Sequence, residues 1–138
     1  MGATWITSSL MITRRAKLIL ASLLATFVVT RALLTNSPNS DFDIAGYNIH
    51  HLFTGLLLIT AGGIPLALFP RRSFALDAAS VAFGSGLALA LDEWVYLIAT
   101  DGSNASYLLP VSLKGGILMV GLAAVYIGVL YVVSRGRS

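Results

Sequence analysis

Gly84-Ser85-Gly86-Leu87-Ala88-Leu89-Ala90-Leu91-Asp92-Glu93-Trp94-Val95-Tyr96 sets two adjacent carboxylates inside a stretch that otherwise reads as a membrane-spanning helix. A charged group at the centre of such a helix costs roughly 2.5–3.5 kcal/mol on insertion scales. Two side by side need partners, water, a proton or a metal. The small residues Gly84, Ser85, Gly86, Ala88 and Ala90 suit the close approach of neighbouring helices. The stretch therefore predicts a packed helix carrying a polar site, and the rest of the chain must supply what surrounds it.

The composition agrees with a lipid setting. Of 138 residues, 57% are hydrophobic and 11% charged, against about 25% charged in soluble domains. A chain of this length and character reads as one integral membrane domain, residues 1–138, multi-pass in the plasma membrane. The absence of cysteine excludes disulfides and thiolate ligands, leaving His, Asp and Glu as strong metal donors. A net charge of +3 does not indicate nucleic acid here, because the basic residues gather at the ends of apolar spans.

Four apolar runs emerge, at about 17–35, 47–69, 74–100 and 111–133. At 1.5 Å per residue each can cross about 30 Å of hydrocarbon. The runs are continuous rather than alternating, which argues for helices and against strands. The predicted fold is an all-α, four-transmembrane-helix bundle. Met1 to Thr13 reads as a short segment along the membrane surface. Arg14, Arg15 and Lys17 before Leu18-Ile19-Leu20-Ala21 resemble a signal-peptide start, but no small-residue cleavage site follows, so the reading is an uncleaved first helix. Pro38 with its Asn/Ser/Asp neighbours marks a loop. Gly62, Gly63 and Pro65 mark a kink or thinning in the second span. Ser73 is placed to cap the third helix after the Arg71-Arg72 turn. Asp101 to Ser106 is a polar loop, and Tyr107 to Pro110 reads as surface. Arg14, Arg15, Lys17, Arg71, Arg72, Arg135 and Arg137 fall on one side, so both termini are expected to be cytoplasmic.

Folding the second and third spans about the Arg71-Arg72 turn brings His51 and Asp92 to one depth, each about 20 residues from it. His50 and Glu93 join that level near the outer face. Arg31, about 15 residues into the first span, and Lys114, about 20 residues from the end of the fourth, reach the same height. Each span thus contributes a polar group to one layer. The charges of Arg31, Lys114, Asp92 and Glu93 cancel when the histidines are neutral. On the third helix Ser85, Ala88, Asp92 and Tyr96 share one side, and Gly86, Leu89, Glu93 and Leu97 the adjacent one. Tyr96 is one turn from Asp92 and could donate to its carboxylate, although Tyr96 and Trp94 also suit an interfacial aromatic belt.

Ile49-His50-His51-Leu52-Phe53-Thr54-Gly55, together with Gly84 through Glu93, resembles a group of small, uncharacterised prokaryotic integral membrane proteins. In that group a His-x-His-His-x-x-x-Gly element on one span faces Gly-x-Gly-Leu-x-Leu-x-Leu-Asp-Glu on the next. The resemblance covers the middle two helices. It implies a fold and a paired polar motif, without an activity. This chain has Asn48 where the group often has a further His, so a three-histidine metal site would here be weaker or use an amide oxygen.

The leading functional expectation is a site built from His50, His51, Asp92 and Glu93, holding a divalent metal (zinc, iron or manganese) or an anionic lipid-like ligand. Arg31, Lys114, Tyr96 and Asn48 would balance charge or contact the ligand, and a bound metal would act as Lewis acid or activate water. Adjacent histidines diverge on a helix, so both reach one ion only if the helix begins there. One rival is an accessory or scaffold protein whose polar layer is structural, with Asp92 and Glu93 paired to Arg31 and Lys114. Another is an oligomeric ion or proton transporter, against which stands the lack of an acidic step toward the cytoplasm nearer than Asp77. The expected partners are membrane lipids and either further copies of the chain or another membrane protein. No nucleophile motif or phosphate-binding loop is present, and the sequence names no catalytic residue.

Overall fold

The computed structural model describes residues 2–36, 43–44, 47–48, 50–69 and 73–136. Helix α1 runs over Gly2–Asn36, α2 over His51–Leu68, α3 over Phe74–Ala99, the one-turn α4 over Asn104–Tyr107, and α5 over Pro110–Gly136. Between α1 and α2 two short strands, β1 (Asp43–Ile44) and β2 (Tyr47–Asn48), pair antiparallel with Asp43 opposite Asn48. Four helices are long and apolar enough to cross a membrane, over Thr13–Asn36, His51–Leu68, Phe74–Ala99 and Pro110–Gly136. The predicted all-α, four-span architecture is therefore the observed one, and it places the chain as a multi-pass membrane protein.

Three boundaries differ from the sequence reading. Helix α1 starts at Gly2, so the segment expected along the surface continues the first span as helix. Its 35 residues extend about 52 Å, well beyond the hydrocarbon. The second span starts at His51 rather than Tyr47, because residues 47–48 are paired with β1. The third difference is α4, which replaces an expected surface loop. The Arg71-Arg72 turn lies outside the described residues.

Local chemistry explains the helix ends. Ser73 is the N-cap of α3, its hydroxyl accepting from the Leu76 N–H at 3.3 Å, as its position predicted. Ser103 does the same for α4, accepting from Ser106 N–H. Pro110 opens α5, where its missing N–H removes no helical bond. Pro65 sits inside α2.

Helix α3 is the hub, packing against α1, α2 and α5, while α1 and α5 also touch each other. Leu23, Ala88 and Val120 form the buried centre of the α1/α3/α5 side, with Leu20, Phe27, Leu87 and Leu91 packed around them. Helix α2 leans on α3 through glycine. A Cβ at Gly55 would stand 2.7 Å from the Gly86 carbonyl oxygen, and one at Gly86 would stand 2.7 Å from the Ile59 nitrogen. Here backbone meets backbone, which side chains would forbid. Large apolar residues such as Leu57, Leu68, Val125 and Val132 point outward, as they should when the surrounding solvent is lipid.

Two ion pairs tie α1 to α3 at opposite ends. Arg14 donates through Nη2 to Asp77 Oδ2 at 2.8 Å and is half exposed. Arg31 lies about 25 Å further along α1 and meets Asp92 in a buried layer. That second end holds the site.

Candidate functional site

Asp92 and Glu93 are among the most buried residues of the chain, 1% and 2% exposed. Two carboxylates so deep must be satisfied from their neighbours. Arg31 reaches Asp92 Oδ1 through Nε at 2.7 Å and through Nη2 at 2.6 Å. The other Asp92 oxygen accepts the Tyr107 hydroxyl in a short hydrogen bond and faces His51 Nε2 at 3.3 Å. Glu93 Oε2 accepts the Leu52 N–H at 2.7 Å, thereby satisfying an orphan donor in the first turn of α2. Its Oε1 faces His50 Nδ1 at 3.3 Å and His51 Nδ1 at 3.2 Å.

The histidines reach both acids because α2 begins where they stand in the chain: His50 is the N-cap and His51 the first helical residue. The extended backbone of His50 turns its ring back toward α3. Both imidazoles keep about a fifth of their side-chain surface exposed, whereas the acids beneath them are sealed. The layer is thus closed on three sides and edged by two rings.

Arg31 is anchored beyond its carboxylate. Its Nη2 donates to the Ser112 carbonyl and hydroxyl oxygens, both at 3.1 Å, and its guanidinium lies 4.2 Å from the centre of the Tyr107 ring. Gly116 on α5 leaves room for this fork, since a Cβ there would stand 3.0 Å from Arg31 Nη2. A planar guanidinium that donates in several directions suits this setting better than lysine would.

Tyr107 is the residue the sequence reading missed. The polar loop after α3 is braced by Asp101, whose carboxylate accepts from Ser103 N–H at 3.0 Å and Ser103 Oγ at 2.8 Å. The Ser103 backbone bond, then those of the Ser106 and Ser103 hydroxyls, hold Asp101 below the usual carboxylate range. Helix α4 then drops Tyr107 into the bundle, 7% exposed, edge-on to His51 with ring centres 5.5 Å apart. Burial, then the charge of Asp92, pushes the Tyr107 hydroxyl far above the usual phenol range, so it remains a donor. The signal available was the pair of punctuation marks, Ser103 as a cap and Pro110 as a helix start, which leave one helical turn between them.

Two predicted members fall elsewhere. Lys114 is exposed on α5 and makes no ion pair with any described residue. The inward stripe of α5 is Ser112, Gly115, Gly116 and Val120, and Lys114 lies on the opposite side of that helix. Tyr96 is buried, but its hydroxyl donates to the Ser103 carbonyl at 3.0 Å rather than to Asp92. It packs edge-on against Tyr107 and so supports the layer from behind. Trp94 is half exposed, as a belt residue would be. The backbone of Asn48 pairs with Asp43, and its side chain lies outside what the structure describes.

The arrangement is a hydrogen-bonded cluster in which each carboxylate oxygen already has a donor or an imidazole against it. No buried side-chain nitrogen or oxygen among the described residues lacks a partner. Nor, among the described residues, is any group of three or more His, Asp and Glu side chains arranged to hold a metal ion. No protein-family model, curated protein or solved structure matches the chain. Fold and site together define a small multi-pass membrane protein with a buried His/carboxylate/Arg layer at one end.

Proposed function

We propose that the chain is a non-catalytic accessory or scaffold protein of the plasma membrane, with its polar layer at the extracytoplasmic face and both termini cytoplasmic. The layer acts as a lock that fixes the register of the helices. The observation carrying this reading is that Asp92 and Glu93 spend all four oxygens on groups from other segments: α1 through Arg31, α2 through His51 and Leu52, and α4 through Tyr107. Arg31, the cation of the layer, is committed to Asp92 and Ser112. Orientation rests on Arg14, Arg15, Lys17 and Arg135 at the far end of the bundle from the layer.

Elemental analysis of purified protein, with unfolding followed before and after chelation, tests the reading. The expected outcome is no stoichiometric zinc, iron or manganese and an unchanged unfolding midpoint. A bound metal at one per chain whose removal lowers the midpoint would overturn the lock in favour of a metal site.

A further inference from the structure

The end of the bundle away from the buried layer carries charge that no described side chain balances. Arg14, Arg15 and Lys17 stand within one turn of α1, and Arg135 stands in the last turn of α5. The sequence adds Arg71, Arg72 and Arg137 at this end, outside the described residues. Among the described residues there, one acid faces these cations: Asp77, in the first turn of α3. Arg14 engages both of its oxygens, through Nε at 3.1 Å to each and through Nη2 at 2.8 Å to Oδ2. Arg135 donates to the Tyr131 hydroxyl at 3.3 Å. Lys17 is exposed and makes no ion pair with any described residue.

The level of these residues is the edge of the hydrocarbon. Helix α2 ends at Leu68 and α3 begins at Phe74. Arg14 meets Asp77, and Arg15 Nη2 reaches the Phe69 carbonyl at 3.5 Å, so the basic run of α1 lies beside both of those helix ends. Leu68, Phe69 and Phe74 stay exposed there, which suits contact with lipid better than contact with water. Lys17 lies about one turn into a span that begins at Thr13. An ammonium so placed lays its stem along the acyl chains and lifts its charge to the headgroups. Arg14 and Lys17 are three residues apart, so they are neighbours on one strip of α1.

We propose that Lys17, with Arg14 beside it, is a headgroup site for an anionic phospholipid. The phosphodiester supplies the counter-charge that the chain itself lacks at this place. A headgroup with net negative charge is preferred to a zwitterionic one, whose phosphate already has a cation of its own. The other end of the bundle does not offer the same setting. Lys114 is exposed as well, but it is a lone cation at an end whose connecting segments carry Asp41, Asp43 and Asp101 and no lysine or arginine. Those acids repel an anionic headgroup. The site goes beyond the lock and shares no residue with it.

Native mass spectrometry of the full chain, released from detergent after titration with phosphatidylglycerol or phosphatidylcholine, reads the two affinities separately. Near a membrane surface each basic residue contributes a factor of about five. Wild type is therefore expected to bind its first phosphatidylglycerol at least about fivefold more tightly than phosphatidylcholine. Lys17→Gln should erase most of that preference and Lys17→Arg should keep it. Lys114→Gln removes the same charge at the other end and should leave the preference in place. Asp77→Asn releases Arg14 from its partner and should raise the affinity for phosphatidylglycerol, a gain that loss of structure does not produce. The site is overturned by no preference in wild type, by a preference that survives Lys17→Gln, by an equal fall in Lys114→Gln, or by an unchanged or lower affinity in Asp77→Asn. Inorganic phosphate added at constant ionic strength should leave the lipid bound. Displacement would assign the surface to a soluble anion and overturn the lipid reading. The lock is judged by the Arg31 substitution, so the two readings fail independently.

Discussion

Replacing Arg31 by methionine keeps most of the side-chain volume of the arginine and removes its charge. In the wild type the pair is short, 2.6 Å between Nη2 and Oδ1, with side-chain exposures of 12% and 1% for Arg31 and Asp92. Removing one partner of a buried pair leaves the other uncompensated, and such changes cost about 3–5 kcal/mol. The loss of the two Ser112 bonds adds to the same end. The internal control is the Arg14–Asp77 pair between the same two helices, half exposed on its arginine side. An exposed pair contributes about 0–1 kcal/mol, so Arg14→Met should be nearly silent. Unfolding by denaturing detergent, followed through helix content in mixed micelles, gives both numbers on one scale. The difference expected is about 2–5 kcal/mol in favour of the buried pair. The double variant Arg31→Met with Asp92→Leu should recover much of the loss, since an apolar pair of similar size replaces buried ions at little net cost. If Arg31→Met proves no worse than Arg14→Met, the layer is not what holds these helices, and the lock reading is wrong.

The same assay reads four further substitutions. Gly86→Ala would drive a methyl to 2.6 Å from the Gly55 carbonyl oxygen, so overpacking should cost about 1–3 kcal/mol; Gly121→Ala, with open space around it, should be neutral or mildly stabilising, and equal effects would contradict the backbone contact. Tyr107→Phe removes a hydroxyl bonded to ionised Asp92, for which about 1.5–3 kcal/mol is expected. Because burial and then Asp92 raise the Tyr107 hydroxyl in the folded state, folded protein binds that proton more tightly than unfolded. Its contribution is therefore complete below about pH 10, the unfolded value, and is lost as the pH rises above it. Wild type should show a steeper alkaline loss of stability than Tyr107→Phe, and parallel curves would refute the assignment. Thr26→Val breaks the 2.9 Å hydroxyl bond to Ser85 between α1 and α3, where about 0.6 kcal/mol is typical within a bilayer; a cost above about 2 kcal/mol would mean that this mid-span bond has been undervalued.

The spans and the level at which polar groups meet were legible because both depend on length. Counting residues from a turn fixes depth to about one helical turn, and at that resolution Arg31, His51 and Asp92 must be neighbours. Azimuth is harder, since one residue rotates a side chain by about 100°. Lys114 shares the depth of the layer but not its direction. Ser112, Gly115, Gly116 and Val120 already spell the inward stripe of α5, yet the glycines beside Lys114 read equally well as its surroundings when depth alone is weighed. Tyr107 escaped for another reason. Its place depends on a short turn of helix stabilised by Ser103 and Asp101, and a one-turn helix has too few residues to show periodicity. The start of α2 was similarly ambiguous, because an apolar run does not reveal where strand pairing ends and helix begins.

The outward turn of Lys114 bears on how α2 is held. Had Lys114 turned inward, its ammonium could have paired with Glu93. With that cation outside, Glu93 meets, among the described residues, the Leu52 N–H and two imidazoles that keep an edge exposed. The end of the bundle fixed by Arg31 is held by a buried ion pair, while the first turn of α2 is held by the Leu52 N–H and the imidazoles against Glu93. A bundle built this way has one half, α1 with α3 and α5, tied by that pair, and an α2 that packs chiefly on α3. The close backbone contacts at Gly55 and Gly62 lie further along α2 than its first turn, so that turn should open before Gly55. Amide exchange that opened Gly62 before Leu52 would reverse that order and locate the weak point at the other end.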